Sequence, residues 1–148
     1  LHRNVVANIL QSEAWFKPMF EQLGDKPLTI VCALPLYHIY ALTICFMMGS
    51  RFGALNVLVA NPRDIPGFVR MLREFRVNFF PGVNTLFNAL ANEPAFSTLD
   101  FSQLLVSSGG GMAVQRATAE RWEKMTPEER ERFRRDIQNA NRDFERRR

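Results

Sequence analysis

The chain has 148 residues, of which 47% are hydrophobic and 13 are phenylalanine, so it is not an intrinsically disordered protein and can form one domain or one part of a domain. Its two cysteines, Cys32 and Cys45, have neither the number nor the spacing of a disulfide framework or a zinc site, which makes a reducing, cytosolic setting the default. The net charge of +4 is shared equally by residues 1–124 and 125–148, which argues against a basic patch for nucleic acid.

No apolar stretch is long enough to cross a membrane. The longest, from Ile39 to Gly49, is well below the roughly 20 residues that a spanning helix needs, and no signal peptide precedes it. We therefore expect a cytoplasmic protein, with peripheral association at the inner membrane as its closest approach to a bilayer. Because the chain begins at Leu1 and not at a methionine, we also expect it to be part of a longer protein.

The first 22 residues have the spacing of an amphipathic helix, which Pro18 is expected to break. Four short apolar runs then follow without polar alternation, and this pattern predicts strands buried on both faces. The runs are LTIVCAL (28–34), LNVLVA (55–60), VNFFPGV (77–83) and LLVSSG (104–109).

Segments with helical spacing lie between and after these strands. IYALTICFMMGSRF (39–52) is apolar nearly all round and should be buried, whereas DIPGFVRMLREF (64–75) has one apolar face and an N-cap in Asp64. TLFNALAN (85–92) and AVQRATAERWEK (113–124) supply two more helices. The alternation of strand and helix predicts an α/β fold with a parallel sheet.

The composition changes from Thr126 onward. Thr126, Pro127 and Glu129 fit the start of a new helix, and an apolar stripe then runs from Phe133 to Phe144 between charged pairs. We expect a solvated helix that rests on the body of the protein. A dimerising or docking helix is the alternative, although two heptads are too short to argue a coiled coil.

Ligands of a parallel sheet bind beyond the carboxyl ends of its strands, and LPLYHIYALT (34–43) lies at such an end. Pro35 stops the strand, so Tyr37 and His38 fall at the turn into the next helix. A single histidine in apolar surroundings is more often a core residue than a catalyst, which leaves His38 an open candidate on spacing alone. No acid or second histidine lies at a metal-ligand spacing, and neither cysteine is placed to form a nucleophile pair with it.

The second segment at a strand end is LVSSGGGMAVQ (105–115), which contains Gly109, Gly110 and Gly111. A glycine run lets the backbone approach a ligand closely and can point amide groups at it. The run does not fit GxGxxG, which would need glycine at Val114, or the phosphate loop, which would need a lysine. By itself it predicts a tight turn more readily than a nucleotide contact.

Several motifs occur in one order: LHRN (1–4), ALPLYHIYALT (33–43), NPRDIPGFVRML (61–72), GVNTLFNALAN (82–92), LDFSQL (99–104), and SSGGGMAVQ (107–115) followed by AERW (119–122). Together they resemble the bacterial long-chain fatty acid–CoA ligases of the adenylate-forming, AMP-binding superfamily, from Leu1 to about Thr126. The resemblance implies that residues 1–126 are a parallel-sheet β-α-β segment of that family's large N-terminal domain. Residues 127–148 would be an added, charged helical tail that is unrelated to the family pattern.

The resemblance implies roles for five residues near the acid substrate. His38 would line the pocket where carboxylate, adenylate and acyl chain meet, and Tyr40 stands where the family commonly has phenylalanine. Ile44, Val83 and Thr85 would be walls of the acyl tunnel. An acyl chain needs an apolar tunnel that ends in a few polar groups, and these residue types suit that need.

The resemblance also implies that the backbone of Gly109, Gly110 and Gly111 would lie against the adenine and the acyl carbonyl region. Ala113 replaces the proline that the family usually has after the methionine, and this loosens the backbone of the loop.

Members of this family use ATP and Mg²⁺ to convert a fatty acid into an acyl-adenylate and pyrophosphate, and then transfer the acyl group to the thiol of CoA. The family's phosphate loop should end just before Leu1, and its YGLTE motif does not follow AERW here. We therefore expect an inactive part of such a ligase, without its charged clamps, that binds none of ATP, Mg²⁺ or CoA tightly. The alternatives are a non-enzymatic α/β module for a hydrophobic ligand or a protein partner, and a nucleotide-binding regulator that uses the triple glycine.

Overall fold

The fold is built around a parallel four-stranded sheet. The computed structural model describes residues 1–111, 115–117, 119 and 120. The strands are β1 (Thr29–Cys32), β2 (Leu55–Leu58), β3 (Phe79–Gly82) and β4 (Val106–Gly109), in the order β2-β1-β3-β4. All neighbouring strands run parallel, which confirms the predicted α/β class, although each strand is shorter than its apolar run.

The two central strands are fully buried, and the two edge strands are not. Every residue of β1 and β3 is buried. On β2, in contrast, Leu58 is 64% exposed, and β4 is only partly covered. The prediction that all four strands are buried on both faces is therefore wrong for β2 and β4, because the helices pack mainly over the centre of the sheet.

Helix α1 (His2–Phe20) covers one face of the sheet and continues into a 3-10 turn, Glu21–Leu23. The prediction that Pro18 breaks this helix is wrong. Pro18 lies in the last turn, so its missing N–H and its ring disturb only the helix end. The Phe16 and Phe20 rings stack with centroids 5.6 Å apart, and both contact the ring of Phe79 in β3.

A second helical segment packs on the same face and has an irregular middle. It comprises α2 (Ile39–Ala41), a π-helical stretch (Leu42–Met47) and α3 (Met48–Arg51). Its buried residues, among them Cys45, join a cluster with Ile30 and Phe79. Phe46 is nevertheless 52% exposed, so the expectation that this segment is buried all round is wrong.

The sequence predicted helices at α4 (Ile65–Leu72) and α5 (Asn84–Ala91), and both form and cover the opposite face of the sheet. A 3-10 helix (Pro94–Thr98) follows. The N-cap prediction is confirmed, because Asp64 Oδ1 accepts a hydrogen bond from Gly67 N at 3.0 Å. The predicted apolar face of α4 contributes its buried residues to the cluster on this side of the sheet.

Asn78 joins the beginnings of three strands. Its side chain is buried, and its Oδ1 accepts from Thr29 N at 2.8 Å while its Nδ2 donates to the Gln103 carbonyl at 3.0 Å. Its carbonyl also accepts from Leu105 N and Val106 N. This residue therefore fixes where β1, β3 and β4 start.

The helix predicted over 113–124 is described only in part, and its residues 116, 117, 119 and 120 are helical. The terminal helix that was predicted from Thr126 lies outside the described residues.

Candidate functional site

His38 lies at the carboxyl edge of the sheet, where the sequence placed it, and its side chain is exposed. It is the N-cap of α2, and its Nδ1 accepts a hydrogen bond from Tyr40 N at 3.2 Å. An accepting Nδ1 leaves the ring proton on Nε2, which is then available as a donor. His38 is therefore neither a packed core residue nor an isolated one, because its ring helps to fix the start of α2 at the ligand edge.

Tyr40 connects this turn to the triple glycine. Its hydroxyl lies 2.9 Å from Ser108 Oγ and donates to the Ser108 carbonyl at 3.3 Å. Its ring lies directly on the backbone of Gly110, since a Cβ added at Gly110 would be 2.6 Å from Tyr40 Cε1. Burial raises the pKa of the Tyr40 hydroxyl above its ordinary value. Two motifs that are about 70 residues apart in the chain thus meet at one point of the sheet edge.

The three glycines serve different purposes at this edge. Gly109 ends β4 and pairs with Gly82 of β3, and Gly110 N donates to the Gly82 carbonyl at 3.0 Å. Gly110 must lack a side chain because Tyr40 covers it, whereas Gly111 has φ +79°, a left-handed conformation that favours glycine. The glycine run is therefore both a close-approach surface and a turn.

Val83 and Thr85 line a cleft of about 390 Å³ on the α4–α5 face of the sheet. Most of its wall is apolar, and Arg63 is the charged residue in its lining. His38 and Tyr40 are not part of that lining. Ile44 packs on the opposite face, against the cluster that contains Ile30 and Phe79. The structure therefore brings Val83 and Thr85 together and separates them from Ile44.

Asn84 is a polar residue at this edge that the sequence reasoning did not single out. It is buried at the start of α5, and its Oδ1 accepts from Gln115 N at 2.9 Å. This bond ties the chain that follows the triple glycine to the end of β3. Its position directly after the end of a predicted strand could have marked Asn84 as a site residue. The sequence analysis treated this position only as the start of a helix.

The two cysteines are buried, whereas His38 is exposed. Both thiols are free and buried, and Cys32 donates to the Leu34 carbonyl at 3.6 Å. A hydrogen bond to Cys32 and burial raise the pKa of the Cys45 thiol. The described residues contain no hydrogen bond between His38 and either thiol, so the geometry offers no nucleophile pair here.

The described residues contain no group of three or more His, Cys, Asp or Glu side chains that could hold a metal ion. In the same part of the chain, no helix has the length and apolar character that crossing a membrane requires.

Comparison with known proteins gives the class of protein. The family model described as AMP-binding enzyme matches residues 1–134, and the chain belongs to this family. It is 50% identical over 125 residues to the long-chain-fatty-acid–CoA ligase of Escherichia coli O157:H7, and 44% identical over 127 residues to the ligase of the same name from Haemophilus influenzae. Each match covers 84% of this chain and 22% of the relative, so the chain spans about a fifth of the length of these proteins.

Solved structures support the fold alone. The adenylation domain of a keto acid-selecting NRPS module, bound to keto acyl adenylate, superposes with a TM-score of 0.69 at 18% identity. This match covers 87% of the present chain and 23% of the other chain.

Proposed function

We propose that this chain forms the acid- and adenine-facing wall of a long-chain fatty acid–CoA ligase. The observation that carries the proposal is the contact of Tyr40 with Gly110 and Ser108, because it joins the two segments that such a site needs at one sheet edge. The identity to bacterial proteins with the ligase name supports the choice of a long-chain fatty acid as the substrate.

The proposed reaction has two steps. A carboxylate oxygen of the fatty acid attacks the α-phosphorus of ATP, and pyrophosphate leaves. The CoA thiol then loses its proton to solvent and attacks the acyl carbonyl, and AMP leaves. In this scheme the bare backbone at Gly109, Gly110 and Gly111 accepts the flat adenine and the acyl carbonyl region. The role of Mg²⁺ in the complete enzyme is to offset phosphate charge, and the described residues contain no cluster suited to hold it.

The side chains of this wall bind and orient the substrate, and none of them has to transfer a proton. His38 offers Nε2 beside the reacting carboxylate, and Tyr40 closes the side of the pocket. Val83 and Thr85 border the acyl chain from the α4–α5 face, whereas Ile44 supports the sheet from the opposite face. Arg116, the described cation that follows the glycine run most closely in sequence, is paired with Glu120, whereas stabilising a transferring adenylyl group depends on cationic clamps. We propose that residues 1–148 alone do not form acyl-CoA.

The extent and location of the ligase part also belong to the proposal. We place its boundary near Thr126, with residues 127–148 as a separate charged tail, and we place the complete enzyme in the cytoplasm, with peripheral contact at the membrane that supplies its fatty acid.

The site can be tested by NMR on the purified, ¹⁵N-labelled chain. A non-hydrolysable palmitoyl-adenylate analogue at millimolar concentration should shift the amide resonances of Tyr40 and of Gly109–Gly111, and palmitate with AMP should shift them less. Shifts confined to other parts of the chain would refute the site. Pyrophosphate exchange into ATP with palmitate, measured on the same protein, should be absent, and measurable exchange would refute the proposed inactivity.

A further inference from the structure

Cys32 and Cys45 form a pair of thiols in the core beneath the ligand edge. Cys32 is the last residue of β1, and Cys45 lies in the π-helical stretch that follows α2. Both are free and buried in the same cluster, and their thiols hydrogen-bond to each other. Since a disulfide needs two side chains that already face each other, this contact meets its first geometric requirement.

The chain between the two cysteines carries residues of the candidate site. Within this span His38 caps α2, and Tyr40 contacts Ser108. The span also enters the π-helical stretch, and π turns inside α-helices are rare and occur frequently at functional sites. A covalent bond between Cys32 and Cys45 would close this span into a loop, and loop closure restricts the unfolded chain.

The pair contains one thiol that ionises readily and one that does not. The hydrogen bond from Cys45 lowers the pKa of the Cys32 thiol to about 7, although burial acts in the opposite direction. The hydrogen bond to Cys32 and burial raise the pKa of the Cys45 thiol. Because the thiolate is the reactive form of a cysteine, Cys32 is suited to react first and Cys45 to resolve the product.

We propose that Cys32 and Cys45 are an oxidation site at which a peroxide forms a reversible disulfide. The Cys32 thiolate attacks one oxygen of hydrogen peroxide, the O–O bond breaks, and the leaving hydroxide takes a proton from solvent. The Cys45 sulfur then attacks the sulfenic acid at Cys32 Sγ. The S–O bond breaks, and the second hydroxide takes the Cys45 thiol proton and becomes water.

The overall change oxidises the two thiols by two electrons, which the peroxide accepts. A reducing dithiol restores both thiols by exchange, as is usual for the transient disulfides of a reducing compartment. The redox state of the pair would thus be coupled to the span that holds His38 and Tyr40.

The test is limited oxidation of the purified full chain with hydrogen peroxide under native conditions. This oxidant is nearly as small as water and needs only a local opening of the core to reach Cys32. The protein is then unfolded, its remaining thiols are alkylated with N-ethylmaleimide, and mass spectrometry locates the linked peptides. We expect a monomer that lacks the mass of two hydrogen atoms, carries no maleimide and joins Cys32 to Cys45, and dithiothreitol should reverse all of this.

The wild-type chain alone can overturn the site. No disulfide in the native chain, a disulfide that forms only in urea, or one that joins two chains would each do so. The urea midpoint of the oxidised chain should rise because its loop is closed. A lower midpoint would show that the native geometry does not accommodate the bond.

Dimedone, which traps sulfenic acids, tests the order of the two steps. In Cys45→Ser the new hydroxyl can still donate to Cys32, so peroxide should leave a dimedone adduct on Cys32. The matched control is Cys32→Ser, which also replaces one buried thiol by a hydroxyl. Its remaining thiol should give at most about a tenth of that adduct, because burial disfavours the thiolate. Equal labelling of the two variants would overturn the assigned order.

Discussion

Asn78→Leu should destabilise the chain more than any exposed asparagine substitution. Leucine has nearly the same size, so the change mainly removes the hydrogen bonds to Thr29 N and to the Gln103 carbonyl. Asn78 is 4% exposed and Thr29 is also buried, so the Thr29 N–H would lose its partner where water does not reach it. An unsatisfied buried donor costs about 1–3 kcal/mol and a lost bond at a partly buried carbonyl about 1 kcal/mol, which together give about 2–4 kcal/mol.

Urea unfolding followed by far-ultraviolet circular dichroism measures this loss. The midpoint should fall at an unchanged slope, since the folded and unfolded states expose the same surface as before. The control is Asn61→Leu. Asn61 is exposed, and its side chain accepts one bond, from Arg63 N at 3.3 Å, so the free energy of unfolding should change by about 0.5 kcal/mol or less. Asn78→Leu within about 1 kcal/mol of wild type, or equal to Asn61→Leu, would refute the role of Asn78.

Asn78→Asp separates the two bonds. The carboxylate can still accept from Thr29 N, but it places a negative charge against the Gln103 carbonyl and in a buried position. Burial raises the folded-state pKa of such a carboxyl above its unfolded value near 3.9. The unfolding free energy of this variant, relative to wild type, should therefore recover as the pH falls from the folded pKa towards the unfolded value. A deficit that is independent of pH would contradict the assignment of the Nδ2 bond.

Three further predictions concern the site and its surroundings. Gly110→Ala should lower the free energy of unfolding in urea by about 1–3 kcal/mol, because the new methyl group meets the Tyr40 ring. Adding Tyr40→Ala should remove most of this loss in the double variant. Additive losses would show that the two residues do not touch. Tyr40→Phe should cost about 0.5–1.5 kcal/mol through loss of the hydroxyl bonds to Ser108, whereas unchanged stability would mean that water replaces them. Ellman's reagent should react slowly with Cys32 and Cys45 in the native chain and rapidly in urea, since both thiols are buried; a fast native reaction would contradict that burial.

The parallel sheet could be predicted because uniformly apolar runs separated by helical spacing have few other arrangements. The order of the strands could not be predicted in the same way, so the sequence did not distinguish central strands from edge strands. Leu58 sits in an apolar run like those of the centre and is still exposed on β2. The prediction that Pro18 breaks α1 failed for a related reason. The proline weakens one turn, but Phe16 and Phe20 hold that turn against the sheet through contacts with Phe79. Tertiary packing overrode the local preference.

The sequence predicted which edge of the sheet carries the candidate site, but not the contacts within it. The strand ends placed His38 and the glycine run there, but hydrogen bonds over long sequence separations are not encoded in spacing. The Tyr40 bond to Ser108 spans 68 positions and the Asn84 bond to Gln115 spans 31. The positions of Ile44 and Val83 on opposite faces also follow from the side on which each helix crosses the sheet, and a periodicity does not reveal that side.

Gly82 contacts both the glycine run at the sheet edge and the core beneath α5. Its carbonyl accepts from Gly110 N at 3.0 Å, and the Phe87 ring of α5 lies so close that a Cβ at this position would be 2.7 Å from Phe87 Cζ. The residue that positions the glycine run is therefore also the residue that lets α5 pack tightly on β3. Since these contacts are internal to the described chain, the wall of the site can keep its geometry without the charged groups that catalysis requires. Binding at this edge and turnover should accordingly be separable properties.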